Sequence, residues 1–344
     1  MEYKRKLASV QQISKISKHN NADSLELAEL AGMGWQVVIK KGDFKEGDLV
    51  VYLEIDSLCP KTEWSAFLEK VNYRVKTIRL RGQLSQGLVL PLSVLPEKEK
   101  NVGEDVSEVL GIMKYESEEE SDRNKPKKAG LEIFPNHFGF IKTDEPRIQS
   151  ETQYLKLFKN QRVYGTLKYD GCSTTFFINP ETGKLEVCSR NYLLKLSYKE
   201  DPNCPQLQYV HLHPEIEVSL QKFPHLVVQG ELYGPKINKN NLQTKELKFA
   251  VFSIFDMQKR KYCNMYELQS YCKELGMDMV AIVYETDSFD IDSVAQLLEL
   301  AKGKYPGTKN DREGIVFRLK DSMYLEGNRI SFKTINNDFL EKEK

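Results

Sequence analysis

The stretch "GTLKYDGCST", Gly165 to Thr174, places Lys168 two residues before an Asp-Gly turn at the end of an extended run. A lysine amine is a poor nucleophile at its reference pKa of about 10.4. It becomes useful where burial or neighbouring cations favour the neutral form, and a shift of about three units takes roughly 4 kcal/mol. Asp170 can orient the amine, and Gly171 lets backbone approach a ligand closely. The pattern KxDG therefore reads as an activated amine beside a phosphate. Taken alone it reads better as a strand end with a turn.

Working outward, the chain from about Leu131 mixes strands and helices. "RVYGTLKYDG", "STTFFIN", "KLEVCSR", "LVVQGELYG", "KFAVFSIFD", "EGIVFRLK" and "RISFKT" read as strands. "YELQSYCKELGM" and "IDSVAQLLELAKG" carry apolar residues at helical spacing. This is an α+β pattern dominated by antiparallel sheet. Arg190 in "SRN" offers a fork suited to phosphate, or is an ordinary strand-end arginine. Glu231 in "QGELYG" suits a ribose hydroxyl or metal-bound water, or is a turn glutamate. In "FAVFSIFD", strict alternation puts Phe252 with Ile254 and Phe249 with Val251. An aromatic face there suits base stacking or plain core. Glu313 opens the "GIVFRL" strand, and "RISFKT" alternates Arg329, Ser331 and Lys333 onto one face.

The first third is rich in short strand signals separated by Gly42 and Gly47, with "VKTIRLRG" and "QGLVLPL" split by "QLS". That pattern predicts a small all-β barrel of the OB type over residues 1–114. "YESEEESDRNKPKKAG" is nearly all charged and reads as a linker over 115–130, leaving 131–344 as the second domain. "YRVKTIRLRGQ" puts Arg74 and Lys76 on one strand face and Arg79 and Arg81 on the other. This is a cationic ridge for RNA, or a solvated strand.

Lys+Arg and Asp+Glu number 50 each in 344 residues, so no global field draws in nucleic acid and any contact must be local. No apolar run is long enough for a bilayer, and "MEYKRKLASVQQ" lacks the apolar core of a signal peptide. The six cysteines form no CxxC pair, and the "HLH" histidines have no nearby acidic or thiol cluster. A soluble intracellular protein, cytoplasmic or nuclear, with reduced thiols is expected.

The ordered series matters more than any member. KxDG, SR, GEL, an aromatic strand ending in Phe-Asp, EGIVF and a final FK strand resemble the covalent nucleotidyltransferase superfamily of polynucleotide ligases and capping enzymes. "VVIKKGDFKEGDLVVYLEIDS", "LRGQLSQGLVLPL" and "FIKTDEPRIQ" narrow the resemblance to RNA ligases of the Naegleria type, an OB module followed by a ligase domain. Ligases of DNA and capping enzymes carry their OB domain behind, where this chain has only "TINNDFLEKEK" after Lys333.

The resemblance implies an ATP-dependent RNA ligase using Mg²⁺ or Mn²⁺. It would join 3′-hydroxyl and 5′-phosphate RNA ends, at nicks in duplexes, as a monomer. Lys168 would become lysyl-AMP, with Asp170 orienting it. Arg190 would bind phosphate, Glu231 and Glu313 would serve the ribose and metal, and Lys333 would meet the α-phosphate. Phe252 would stack on adenine opposite Val316, and Arg147 would lie near the nucleotide phosphates. Since stacking tolerates any base, backbone at Thr166 and Leu167 is the nearest candidate for reading the adenine edge. Three positions depart from the pattern: Ser331 and Ile335 stand two residues either side of Lys333, leaving Arg329 as a replacement charge, and Ser253 replaces an Asp, leaving Asp256 as a candidate for metal duty. A capping-type guanylyltransferase and a catalytically inactive nucleic-acid-binding protein are the alternatives.

Overall fold

The computed structural model describes residues 5–96, 101–115, 132–142, 144–196, 204–325 and 327–342. Most of the expected linker, residues 116–130, lies outside them. Two compact units divide the chain. The N-terminal one gathers residues 5–96 and 101–115, but also 146–154 and 340–342, which the expected boundaries assigned to the second domain.

The N-terminal unit is built on an antiparallel sheet in the order Gln36–Lys40, Leu25–Leu30, Ala8–Lys18, Leu49–Leu53, Leu88–Pro91. Ala8–Lys18 changes partner along its length: residues 8–12 pair with Leu49–Leu53, and from Ile13 the strand pairs with Leu25–Leu30, with an irregularity between Ile13 and Lys15. Such a bend lets one strand turn a barrel corner. Ala8, Val10, Val51, Leu53 and Leu90 point into its core.

The "QLS" break is itself part of a strand: Gln83–Gln86 pairs with Thr77–Leu80. The turn between them is Arg81-Gly82, at φ 49° and 89°, the positive values of a tight two-residue hairpin. This undoes the expected ridge. Arg81 sits in the turn, where strand alternation stops, and Arg74 and Lys76 precede the strand.

Residues 146–154 are stitched into this unit by their own chemistry. The Gly34 N–H donates to the Gln149 carbonyl at 2.7 Å, and the buried Trp35 indole donates to Ser150 Oγ at 3.2 Å. Ser150 Oγ donates to Glu54, and Thr152 Oγ1 to the Gly32 carbonyl. Arg79 pairs with Glu341 from the last stretch.

The C-terminal unit contains two larger antiparallel sheets. One runs Glu132–Ile133, Tyr192–Leu194, Leu185–Cys188, Cys172–Ile178, Leu226–Tyr233, Lys248–Asp256, Lys261–Tyr262. The other runs Ile282–Thr286, Val163–Lys168, Gly314–Leu319, Ser331–Ile335. Three helices, Pro205–Leu212, Glu215–Gln221 and Met265–Leu275, pack against the larger sheet. Met265–Leu275 starts on the Asn264–Glu267 capping box and stops at Gly276, φ 69°, as its sequence signals require. The shorter Pro205–Leu212 and Glu215–Gln221 were not anticipated; "PQLQYVHL" has almost no apolar periodicity.

Lys248–Asp256 carries a β-bulge. Gln229 opposes Ser253, but the next residue, Gly230, opposes Val251, so Phe252 is the extra residue. Phe249, Val251 and Ile254 consequently share one core, and Phe252 packs with Ala250 in another. The expected pairing of Phe252 with Ile254 is therefore wrong, because an inserted residue resets the two-residue period. Among the described residues no helix is long and apolar enough to cross a membrane.

Candidate active site

Lys168 ends the Val163–Lys168 strand opposite Gly314. Glu313, the residue before Gly314, thus lies beside it, with Glu313 Oε1 2.6 Å from Lys168 Nζ. Glu231 comes from the other sheet, where it pairs with Ser173 just beyond the KxDG turn. Gly171, just before the Cys172–Ile178 strand, lies tight against the Leu226–Tyr233 strand that carries Glu231. A Cβ there would lie 2.3 Å from the Leu232 carbonyl oxygen and 2.9 Å from Glu231 Cγ. The glycine is thus required by the neighbouring strand, a reason the sequence reading did not give.

The electrostatics reverse the expected state of the nucleophile. Burial of the Lys168 ammonium works toward a lower pKa, but Glu313, Glu231 and Asp170 outweigh it and hold the amine above its ordinary value. The carboxylates are strained in turn. Burial first, then Glu313 and Asp170, push Glu231 up to about 8 against the pull of Lys168. Burial, and then Asp170, raises Glu313 in the same way against Lys168. This is a charged lysine among an excess of half-buried acids, where an added cation would be stabilised.

Asp170 does not aim its oxygens at the amine alone. Asn238 Nδ2 donates to Oδ1 at 2.6 Å and Asn241 Nδ2 to Oδ2 at 2.5 Å. Asn310 then donates to the Asn241 carbonyl at 2.9 Å. From the same loop, the Tyr305 hydroxyl donates to the Lys168 carbonyl at 2.8 Å and accepts from the Glu313 N–H at 3.2 Å. Tyr305 is 1% exposed. It joins the backbones of nucleophile and carboxylate partner, and neither it nor the three asparagines belongs to a motif that could have announced them.

Arg190 and Lys333 are brought together by one carboxylate. Asp144 Oδ2 lies 2.9 Å from Arg190 Nη2, and Asp144 Oδ1 lies 2.7 Å from Lys333 Nζ. The next residue, Glu145, binds the buried Arg318 at 2.5 Å; burial opposes its ionisation, but Arg318, Arg329 and Lys333 hold its pKa below the ordinary value.

Several expected site residues are engaged elsewhere. The Leu167 N–H already donates to the Ala281 carbonyl at 2.8 Å, so it cannot read a base edge. Thr166 is buried and accepts from Arg318 Nη1 at 3.2 Å. Val316 is buried between Thr166 and Lys333 in the ladder. Phe252 remains half-buried beside Tyr169, Tyr233 and Met279. Arg147 belongs to the N-terminal unit, where it bonds Asp56 at 2.7 Å. Arg74 binds the same Asp56 at 2.7 Å and lies over the Tyr115 ring at 3.9 Å.

Arg329 is likewise occupied: it donates to Ser253 Oγ at 2.7 Å and covers the Tyr262 ring at 4.4 Å. Asp256 accepts the N–H groups of Gln258 and Lys259, each at 2.9 Å, and closes a turn. His213 pairs with Glu215 at 2.8 Å.

A family model described as RNA ligase matches residues 161–335, and an OB-fold domain model matches 7–92. Naegleria gruberi RNA ligase with PPi is 34% identical, covering 98% of this chain and 99% of that one, with a TM-score of 0.84. The chain belongs to the RNA ligase family. A mutant of the same Naegleria gruberi ligase with ATP and Mn gives 34% identity, coverage of 98% and 99%, and a TM-score of 0.84. Another, with AMP and Mn, gives 33%, the same coverage and 0.83. A search of curated proteins gave no match. The order of the ligase's parts, an OB-like all-β unit and an antiparallel-rich second unit, is the one the sequence motifs implied.

Proposed function

We propose that this ligase uses ATP to adenylate Lys168 and joins RNA ends through that intermediate. The observation carrying the reading is the Lys168–Glu313 pair, at 2.6 Å, set beside Glu231. It is supported by the full-length relatives, whose structures contain ATP or AMP with Mn.

In the first step the ammonium of Lys168 gives up a proton, for which Glu313 is the adjacent acceptor. The freed Nζ attacks the α-phosphorus of ATP; a P–N bond forms and the bond to pyrophosphate breaks. In the second, a 5′-phosphate oxygen of RNA attacks the same phosphorus and Lys168 leaves, recovering a proton. In the third, a 3′-hydroxyl attacks the RNA-adenylate and AMP departs. Arg190 and Lys333 neutralise phosphate oxygens during these steps. Nicked duplexes are the proposed substrate.

The carboxylates fit a divalent cation. Among the described residues no group of three or more His, Cys, Asp or Glu side chains forms a metal cage. A cation held by one or two carboxylates, water and substrate phosphate is the usual manner of Mg²⁺. Glu231 and Glu313 would hold it, and their raised pKa values mark them as short of positive charge. Mg²⁺ or Mn²⁺ there supplies neutralisation of phosphate charge.

Incubation with labelled ATP and GTP tests the reading. ATP should label the parent protein, and Lys168→Ala and Lys168→Arg should remain unlabelled, because a guanidinium keeps its proton. Labelling by GTP would indicate a capping-type enzyme, and labelling by neither an inactive binding protein.

A further inference from the structure

Asp144 engages both cations that the proposed function assigns to phosphate. Its two oxygens reach Arg190 at 2.9 Å and Lys333 at 2.7 Å. Arg190 follows the Leu185–Cys188 strand of the larger sheet, and Lys333 lies within Ser331–Ile335 of the smaller one. The carboxylate thus bridges two sheets with one oxygen each, as two oxygens of a phosphate monoester can.

The segment has a second, more buried anchor beside it. Glu145 is held by Arg318, whose side chain is 3% exposed, whereas the Asp144 side chain is 24% exposed. A partly hydrated ion pair is weaker than a buried one and is broken at lower cost. Two anions cannot share the same pair of cations without raising each other's energy.

We propose that Asp144 is a built-in competitor for the nucleotide phosphate. It occupies Arg190 and Lys333 in the ligand-free enzyme, and an arriving phosphate displaces it. The same carboxylate returns to the cations as AMP leaves, which weakens the hold on that product. This inference rests on the ligase reading and adds a residue that tunes affinity for the charged part of the ligand alone.

The test is calorimetric titration of the full-length parent, Asp144→Asn and Asp144→Ala with AMP and with adenosine. Melting temperatures confirm that the variants are folded. Both variants should bind AMP more tightly, by about tenfold for the loss of one competing charge-assisted contact. Adenosine, which has no phosphate, should bind all three proteins alike. Unchanged or weaker AMP binding in both variants would overturn the proposal and leave Asp144 as a strut that aligns the cations. Equal tightening of AMP and adenosine would also overturn it. A parent that binds neither AMP nor adenosine would instead remove the ligase reading on which the inference stands.

Discussion

Lys168 is charged more firmly in this structure than in free solution, though the reaction needs it neutral. The neighbouring carboxylates hold the ammonium in its charged form, and under the proposed function a divalent cation arriving with the anionic nucleotide would compete for them. Glu313→Gln removes an anion from beside the ammonium, so the charged form loses stabilisation and the pKa falls. Labelling of Lys168 by an amine-reactive reagent should then begin at lower pH in the variant, read by mass spectrometry on ligand-free protein. An unchanged midpoint would separate Glu313 from the amine.

Glu231 carries a consequence for stability. Its folded pKa of about 8 lies above its ordinary 4.5. Between those values the native state holds a proton that the unfolded state has lost, so stability falls as pH rises through the window. Metal-free Glu231→Gln cannot ionise there, and its melting temperature should gain on the parent's from pH 5 to pH 8. A gap that stays constant over that range would contradict the assignment. Lys168, Glu231 and Glu313 were legible as motif members, whereas the sign of the lysine shift depends on how many carboxylates converge, which a linear spacing does not contain.

Among the elements, strands that carry motifs were readable and the connections that brace them were not. Val163–Lys168, Leu226–Tyr233 and Gly314–Leu319 follow from β-branched runs bounded by turn residues. The Phe252 bulge escaped because alternation assumes an uninterrupted ladder. Tyr305 escaped because its loop has no periodic pattern, yet its hydroxyl ties Lys168 to Glu313. Tyr305→Phe keeps the buried ring and leaves a carbonyl and an N–H without that partner, a loss of about 1–3 kcal/mol in stability. Denaturant unfolding should show that loss. Single-turnover adenylation should slow at saturating ATP with little change in the ATP concentration required. A raised ATP requirement at unchanged rate would place Tyr305 in binding instead.

For the whole molecule, composition and the order of motifs gave two units but not their membership. A charged run suggests a boundary at 115–130, yet Arg147, Gln149, Ser150 and Thr152 have partners in the N-terminal unit. Hydrogen bonds between segments far apart in sequence leave no local signature. A protein starting near Lys128 would keep residues 146–154 and lose their partners Gly32, Gly34, Trp35, Glu54 and Asp56. Limited proteolysis should cut that protein within 146–154 and spare the same stretch in the full chain; equal resistance would show that the stretch holds its conformation unaided. The N-terminal unit is assembled from three visits of the chain. It therefore cannot travel as a cassette: recombination or a cloning cut after the first 114 residues would move only its largest piece, and a working graft must carry three separate stretches or none.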